Sequence, residues 1–181
     1  MFRRARMASS ISAALVATVL IAFPAYGNNA ARVLESSDRE ILIELATDTY
    51  SLSEEAVGGE SFVMVTAPGM SYTGEPGLPR LPKYAALVAV PFGSRLTLGV
   101  ISTESENLGP FRPLAAPHEE IMWDGAMAVP TQEYLADPGY YESSRSYPTA
   151  VAELGAQGTL RHQRVARIVM YPFQHSAGSG T

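Results

Sequence analysis

The sequence contains no cysteine among its 181 residues. Disulfide bonds, thiolate metal sites and a cysteine nucleophile are therefore excluded from this chain. Histidine is also scarce: the only three are His118, His162 and His175. A serine or threonine nucleophile would need one of them as its base, and none stands in a nucleophile elbow or a similar setting. We therefore expect no catalytic centre in this chain.

Motifs for metals and cofactors are missing as well. The sequence has no P-loop and no dinucleotide fingerprint. The triplet His118-Glu119-Glu120 resembles a metal-binding sequence, but neighbouring residues on a strand point to opposite faces. We interpret Glu119 and Glu120 as a solvated pair of charges, and we expect no metal and no cofactor.

The N-terminus has the three parts of an export signal. A positive region holds three arginines, Arg3, Arg4 and Arg6. An apolar region spans Ile11–Phe23, and Ala25-Tyr26-Gly27 has small residues at its first and third positions. We predict a signal-peptide helix over 1–27, with cleavage between Gly27 and Asn28. A membrane anchor is the alternative, but the apolar run is shorter than the roughly 20 residues that a span needs.

The balance of charge bears on possible partners. The net charge is −5, and removal of the three leader arginines would lower it to −8. An acidic, secreted, extracytoplasmic domain is a poor ligand for nucleic acid or for an anionic membrane. We therefore expect no nucleic acid partner, and no membrane contact after the signal is cleaved.

Short strands dominate the predicted secondary structure. Thirteen prolines and fifteen glycines argue against a helical bundle. Alternating or continuously apolar residues predict strands over 39–45, 61–66, 84–90, 95–102, 149–154 and 160–172. A helix stays possible for 39–45, which Ser37 or Asp38 could cap, and for the alanine-containing 84–90. We predict an all-β fold, an antiparallel β-sandwich.

The connections are predicted from glycine and proline. Segments 84–90 and 95–102, joined by Pro91-Phe-Gly-Ser94, read as the clearest hairpin. The acidic 48–59 reads as a loop or hairpin connection, and 155–158 as a turn. Residues 103–148 hold six prolines and are expected to form a long irregular segment over the sheet. If a final strand is missing, 164–171 would be an unpaired edge.

The stretch 72–91 organises the chain. It contains Gly74-Glu-Pro-Gly-Leu-Pro79, and its prolines Pro76, Pro79 and Pro82 hold φ near the polyproline value without a backbone donor. We expect this part to be extended and to lie at an edge or surface. Gly74 and Gly77 can take positive φ at little cost.

Several landmarks resemble, in this order, the N-terminal propeptide domain of gingipain-type (C25) cysteine peptidases. They are Gly74–Pro79, Val90-Pro-Phe-Gly93, the prolines 113 and 117, Tyr147-Pro148, Leu160–Val165 and Val169–His175. The resemblance covers roughly 62–175. His162 stands where glycine is usual, and the usual Asn-Pro is missing after His175. The residues that carry the family motifs are Gly74, Glu75, Pro76, Leu78, Pro79, Pro91, Gly93, Arg161, Arg164 and Pro172.

The resemblance implies a β-sandwich that precedes a caspase-like catalytic domain, assists its folding and blocks its cleft. The partner would be the downstream or cognate cysteine peptidase catalytic domain, and this chain would not itself be an enzyme. A blocking segment would carry a basic side chain, for which the Pro-rich centre offers Arg112 and Arg145. We slightly favour Arg112, because Pro110 and Pro113 would reduce the entropy lost on docking.

The implied domain boundaries are a signal peptide at 1–27, a flexible segment at 28–38, the β-sandwich at 39–175 and a tail at 176–181. An alternative function is a free-standing exported β-sandwich that binds carbohydrate or protein. Its binding platform would be Trp123, Tyr134, Tyr140 and Tyr141, since aromatic rings supply contact area at low entropic cost. The same aromatics could instead form a small core beneath a long loop.

Overall fold

Residues 2–12, 31–37 and 39–179 are the part of the chain that the structure, a computed structural model, describes. Over these ranges the fold is all-β and antiparallel, as predicted. Its strands are β1 (Phe2–Ser12), β2 (Ala31–Ser36), β3 (Glu40–Leu45), β4 (Ser51–Val57), β5 (Glu60–Thr66), β6 (Ser71–Tyr72), β7 (Pro82–Val90), β8 (Thr97–Asn107), β9 (His118–Asp124), β10 (Met127–Glu133), β11 (Ser146–Tyr147), β12 (Ala152–Leu160), β13 (Gln163–Met170) and β14 (Phe173–Ser176).

Two short helical turns complete these ranges. Helix α1 spans Pro138–Tyr141, and a 3₁₀ helix spans Ala177–Ser179. The side chain of Asp137 caps α1 by accepting a hydrogen bond from the Gly139 N–H at 2.9 Å. Among the described residues, no helix has the length and apolar character that a membrane crossing requires.

The strands form two larger sheets and two hairpins. One sheet has the order β11-β14-β1-β3-β2. Strands β14 and β3 pair with different parts of β1 along one edge, and β8 pairs with the opposite edge of β1. The second has the order β12-β13-β7-β6. The strand pairs β4–β5 and β9–β10 each form a two-stranded sheet.

Apolar side chains of β3 and β13 join the two larger sheets. Ile41, Ile43 and Leu45 alternate along β3 and pack against Ile168 and Met170 of β13. A second buried cluster consists of Val65, Ala67, Leu81 and Phe173. Complete burial of one such side chain contributes roughly 1.5–3 kcal/mol. The period-two pattern that predicted the strand at 39–45 is therefore the pattern that builds the core.

The predicted hairpin of 84–90 with 95–102 is wrong. Strand β7 pairs with β13 and β6, whereas β8 pairs with β1. The predicted unpaired edge at 164–171 is wrong for the same reason, since β13 has β7 on one side and β12 on the other. Along Tyr84–Val90, strand β7 pairs with β13, whose Ile168 and Met170 belong to the main buried cluster.

The turn between β12 and β13 lies later than predicted. Residues 155–158 belong to β12, where the register shifts between Leu154 and Gln157, so the glycines there mark a bulge. The chain turns instead at Arg161 and His162, which have φ of 46° and 68°. The predicted strand over 160–172 is therefore interrupted at its start. Positive φ also explains why glycine is usual at the position of His162.

Residues 103–148 are more regular than expected. Strand β8 continues to Asn107, and β9, β10, α1 and β11 all lie in this segment. Similarly, β4 occupies most of the predicted connection at 48–59, and the segment after β13 contains β14. The prolines do not prevent these strands from forming, because most of the prolines stand between strands.

The leader is described only in part. Residues Phe2–Ser12 form strand β1, not a helix, because the backbone of β1 pairs with β3 and β14 on one side and with β8 on the other. The remainder of the predicted signal peptide, with its cleavage site at Gly27 and Asn28, lies outside the described residues. Signal cleavage therefore stays a prediction.

Candidate functional site

Gly77 holds the base of the β9–β10 hairpin. Its N–H donates to the Ala116 carbonyl at 3.0 Å, just before β9 begins. Its own carbonyl accepts from the Asp137 N–H at 3.0 Å, just after β10 ends. Both legs of the hairpin are thus attached to one residue.

The geometry at Gly77 requires glycine. Its φ is +80°, a conformation that L side chains rarely adopt. A Cβ at this position would lie 3.2 Å from Cβ of Asp137 and 3.3 Å from the carbonyl oxygen of Leu135. The neighbouring Gly74 has open space around its Cβ direction. The sequence allows positive φ at both glycines. Gly77 adopts it, and Gly74 does not.

The leg that leads into β9 is held from two sides. The Ala116 N–H donates to the Leu78 carbonyl at 2.7 Å and the Arg80 N–H to the Leu114 carbonyl at 2.8 Å. On the other side, the Leu114 N–H donates to the Val63 carbonyl of β5 at 2.9 Å. Residues 113–116 are buried. The hairpin therefore stands on a rigid base.

The proline-rich segment is part of this base. Pro79 and Pro82 are fully buried, which corrects the expectation that the prolines lie at an edge or surface. The Thr73 hydroxyl compensates for the missing donors by donating to the Pro79 carbonyl at 2.7 Å and accepting from the Leu81 N–H at 2.9 Å. Gly74, Glu75 and Pro76 remain exposed, Leu78 is half-buried, and Pro172 is buried directly before β14.

Three of the remaining motif residues, Pro91, Gly93 and Arg164, lie together at the end of β7. Gly93 has φ of +77° in the turn after Pro91. The Arg164 guanidinium donates to the Pro91 carbonyl at 3.2 Å and to the Ser94 carbonyl at 2.6 Å. Arg161 lies away from them on the β12–β13 turn, where it is exposed. Arg164 thus fixes the turn that Gly93 makes possible.

The β9–β10 hairpin presents apolar side chains to solvent. Five of its apolar residues are strongly exposed: Ile121 (68%), Met122 (59%), Trp123 (72%), Met127 (71%) and Val129 (43%). The register pairs Trp123 with Ala128 and Met122 with Val129, so the exposed apolar residues occupy both faces. Exposed apolar patches of this kind mark interaction sites.

The hairpin is acidic as well as apolar. Residues 118–133 contain Glu119, Glu120, Asp124 and Glu133 but no lysine or arginine. Seven cross-strand pairs give it a length of about 20 Å. A two-stranded hairpin is marginally stable by itself. Its anchored base and its uncovered faces together make it the candidate docking element.

Arg112 lies at the base of this hairpin and is engaged within the chain. Its guanidinium forms a 2.6 Å ion pair with Glu60 and lies 4.7 Å above the Phe62 ring and 5.2 Å from the Tyr141 ring. The side chain keeps 43% of its surface exposed. An exposed ion pair contributes at most about 1 kcal/mol, so these contacts position Arg112 without locking it.

Arg145 lies on the far side of the same aromatic cluster. It donates to the Gly139 carbonyl at 2.7 Å and lies 6.0 Å from the Tyr140 ring. Tyr140 and Tyr141 pack edge to face at 5.3 Å between the two arginines. The structure therefore brings both candidate blocking arginines to one cluster, where each already has an internal partner.

Tyr140 and His175 form the buried centre of this cluster. The Tyr140 hydroxyl lies 2.9 Å from Nδ1 of His175 and 3.0 Å from the His175 carbonyl oxygen. A phenol has one hydrogen, so both contacts are satisfied if the Tyr140 O–H donates to the carbonyl while Nδ1–H donates to the phenol. Burial lowers the pKa of His175 to about 4 and raises the pKa of Tyr140.

The predicted aromatic platform is not a single surface. Tyr140 is only 2% exposed and packs against Tyr141, Tyr147 and His175. Trp123 lies instead near the tip of the β9–β10 hairpin. Tyr140 and Tyr141 therefore belong to a small core, which is the second of the two interpretations of these aromatic residues. Within the described ranges, no group of three or more histidine, aspartate or glutamate side chains is arranged to hold a metal ion.

Sequence reasoning missed the hairpin, although a signal for it was available. Asp124-Gly125 is a typical hairpin turn sequence, and Gly125 has φ of +64°. Apolar and polar residues do not alternate cleanly around it, because both faces are apolar near the tip. That pattern is unusual for a strand with one buried face.

Comparison with known proteins gives a consistent result. The sequence model of the family Propeptide_C25 matches residues 24–179. The solved complex of the pro- and mature domains of RgpB from Porphyromonas gingivalis matches with 15% identity and a TM-score of 0.63, covering 83% of this chain and 76% of that one. A structure on the zymogenic latency of gingipain K from the same organism matches with 16% identity and a TM-score of 0.56, covering 97% and 90%. No curated protein matches.

Proposed function

The chain belongs to the C25 propeptide family, and from this premise we propose that it is the N-terminal propeptide of a secreted gingipain-like cysteine peptidase. In this role it assists the folding of the catalytic domain and inhibits it. The observation that carries the proposal is the β9–β10 hairpin, whose apolar faces are exposed on an anchored base. Such a surface is stable in water only at a cost that a partner would remove.

The lack of a cysteine nucleophile in this chain is consistent with the same assignment. A cysteine peptidase needs a thiolate nucleophile, and this chain contains no cysteine. The nucleophile must therefore come from a separate domain, to which this chain would be a non-catalytic partner. The pro- and mature domains of RgpB, which form a complex, offer a precedent for that arrangement.

Export fits this role. The family match begins at residue 24, close to the predicted cleavage site between Gly27 and Asn28. The leader with its three arginines supports secretion of the precursor. The blocking roles of Arg112 and Arg145 stay predictions. Both guanidiniums bind groups within this chain in the structure.

A binding and inhibition assay tests the proposal. The purified chain is added to the cognate C25 catalytic domain, and hydrolysis of a fluorogenic peptide is followed during titration. We expect stoichiometric loss of activity at micromolar concentrations or below. Full activity at a large molar excess of the chain would overturn the inhibitory role.

The folding role needs a second measurement. The catalytic domain is unfolded in urea and diluted into buffer with or without the chain, and recovered activity is measured after the chain is removed. We expect a higher yield with the chain present. An equal yield would contradict assistance in folding and leave inhibition to the first assay.

A further inference from the structure

We propose that two copies of this chain associate through strand β7, each adding its β7 to the sheet of the other in antiparallel order. The contact is made by Tyr84–Val90, which we call the β7 edge. The proposal is independent of the proposed function, because it needs no peptidase. It names a surface and a partner, a second copy of this chain.

Strand β7 is paired on one side only along most of its length. Residues Tyr84–Val90 pair with β13. On the other side, β6 reaches only Pro82 and Lys83. In the part of the chain that the structure describes, no further strand pairs with that side of β7. Alternate N–H and C=O groups of the β7 edge therefore point away from β13, where an added strand could bond to them.

Other sheet edges carry features that oppose pairing with a second chain. Strand β12 has a bulge between Leu154 and Gln157, and β2 has one between Val33 and Glu35. Strands β4, β8 and β9 carry carboxylates, and β10 contains Pro130. The β7 edge contains no charged residue, proline or glycine, and its register with β13 is regular. It is therefore a template for pairing with another chain.

An exposed leucine at the middle of the β7 edge adds an apolar contact. Ala86 pairs with the fully buried Ile168, so the neighbouring Leu87 points to the opposite face of the sheet. Leu87 is 61% exposed. A strand added beside β7 would remove part of this side chain from water, which favours association.

The sequence of the β7 edge matches itself when two copies run antiparallel. With the twofold axis at Leu87, the two leucines lie opposite each other. Ala85 then lies opposite Ala89, and Tyr84 opposite Val90, so no like charges meet across the contact. Such a contact uses the same patch on both copies and closes at two. The match of the edge with itself is the reason for choosing a second copy as the partner.

The length of the β7 edge limits the strength of the dimer. Seven residues span about 24 Å of strand. A contact confined to this length is expected to bury less than the roughly 1,200–2,000 Å² of a standard interface. We therefore expect a dissociation constant of about 10–100 μM, typical of a reversible dimer.

Sedimentation velocity of the purified chain tests the proposal. Between about 1 μM and about 1 mM, the wild-type chain should change from monomer to dimer. Leu87→Lys places two like charges opposite each other and should weaken the dimer at least about tenfold. Leu160→Lys is the matched control, because Leu160 is 57% exposed on β12, which does not pair with β7. It should change the dissociation constant less than about threefold.

Mixing two variants tests the position of the twofold axis. Leu87→Lys and Leu87→Glu should each be mainly monomeric alone, and an equimolar mixture should regain dimer because lysine then lies opposite glutamate. Circular dichroism of each variant verifies that the fold is retained. A mixture no more associated than its two components would overturn pairing about Leu87.

Two further outcomes would overturn the proposal. One is a wild-type chain that stays monomeric up to about 1 mM, or whose dimer Leu87→Lys leaves intact. The other is a monomeric wild-type chain whose inhibition of the catalytic domain is weakened by Leu87→Lys, since the β7 edge would then bind the peptidase. Neither outcome bears against the proposed function, which the inhibition assay tests separately.

Discussion

Two hairpins of the same size behave differently in this molecule. The β4–β5 and β9–β10 hairpins each contain seven cross-strand pairs and a two-residue turn. In β4–β5, Phe62 and Val65 are buried while the residues of β4 face solvent. In β9–β10, apolar side chains are exposed on both faces. Local architecture is therefore shared, and the difference is whether one of the two strands already packs within the chain, as β5 does.

This difference separates stability from function. A hairpin with one strand packed within the chain contributes to folding, whereas an uncovered apolar hairpin contributes little to folding and stays available for association. Substitutions in the two hairpins should therefore affect different measurements. The following predictions test that separation, from the largest expected effect to the smallest.

Replacing the buried aromatic ring of β5 should have the largest effect on stability. Phe62 is 5% exposed, and Phe62→Ala should lower the free energy of unfolding by about 3 kcal/mol. Trp123→Ala removes a larger ring that is mostly exposed and should change it by less than about 0.5 kcal/mol. Urea unfolding followed by circular dichroism measures both. Equal losses in the two variants would remove the distinction between the hairpins.

Acid should destabilise the fold through His175, which is buried against Tyr140. The pKa of His175 is about 4 in the folded protein, against roughly 6.5 for an unperturbed histidine. Between these values the unfolded chain binds more protons than the folded chain. Stability is therefore complete above pH 6.5 and is lost as pH falls towards 4, by about 2–3 kcal/mol.

The matching control is His175→Gln, which cannot titrate. Carboxylates also titrate in this range, so the difference between the two pH profiles isolates the contribution of His175. We expect the variant to lose less stability than the wild type between pH 6.5 and pH 4. Parallel profiles would show that protonation of His175 is not linked to unfolding.

A methyl group at the hairpin base should have an intermediate effect. Gly77→Ala places a Cβ on a residue with positive φ, 3.2 Å from Cβ of Asp137 and 3.3 Å from the Leu135 carbonyl oxygen. It should lower the free energy of unfolding by about 1–2 kcal/mol. Amide exchange at Leu114 and Ala116 should accelerate as the base loosens. Gly74→Ala is the control, because a Cβ there meets open space. If both variants exchange alike, Gly77 does not hold the hairpin.

The smallest effect is a gain in stability. Arg161 and His162 both have positive φ in the β12–β13 turn, and His162→Gly should raise the free energy of unfolding by about 1 kcal/mol. His162→Ala removes the same imidazole without relieving the backbone and should not stabilise the chain. Thermal unfolding of both variants distinguishes the two effects.

The core of the fold could be predicted from sequence because its signals are local. Alternation identified β3, and the continuous apolar run bounded by prolines identified β7. Pairing was harder, because neighbours in sequence are often neighbours in a sheet and β7 with β8 is an exception. The glycines at 155 and 158 predicted a turn, but glycine also permits a bulge within a strand, and the bulge is what forms.

The candidate site depended on information that a linear pattern does not contain. The motif around Gly74–Pro79 was found by resemblance, but its attachment to both legs of the hairpin appears only when Gly77, Ala116 and Asp137 are seen together. The sequence favours Arg112 as the blocking residue because Pro110 and Pro113 flank it. Its ion pair with Glu60 depends on β5, which lies about 50 residues earlier in the chain. Long-range contacts of this kind decided which side chains are available.

The central claim is that the β9–β10 hairpin docks on the catalytic domain, and its most direct test observes Trp123, the single tryptophan of the chain. The chain labelled with 5-fluorotryptophan gives one indole ¹⁹F resonance, which is recorded before and after addition of the unlabelled cognate catalytic domain. We predict a large shift and a loss of the solvent-isotope effect on that resonance as the indole is buried. An inhibited complex in which the resonance keeps its free position would contradict the account.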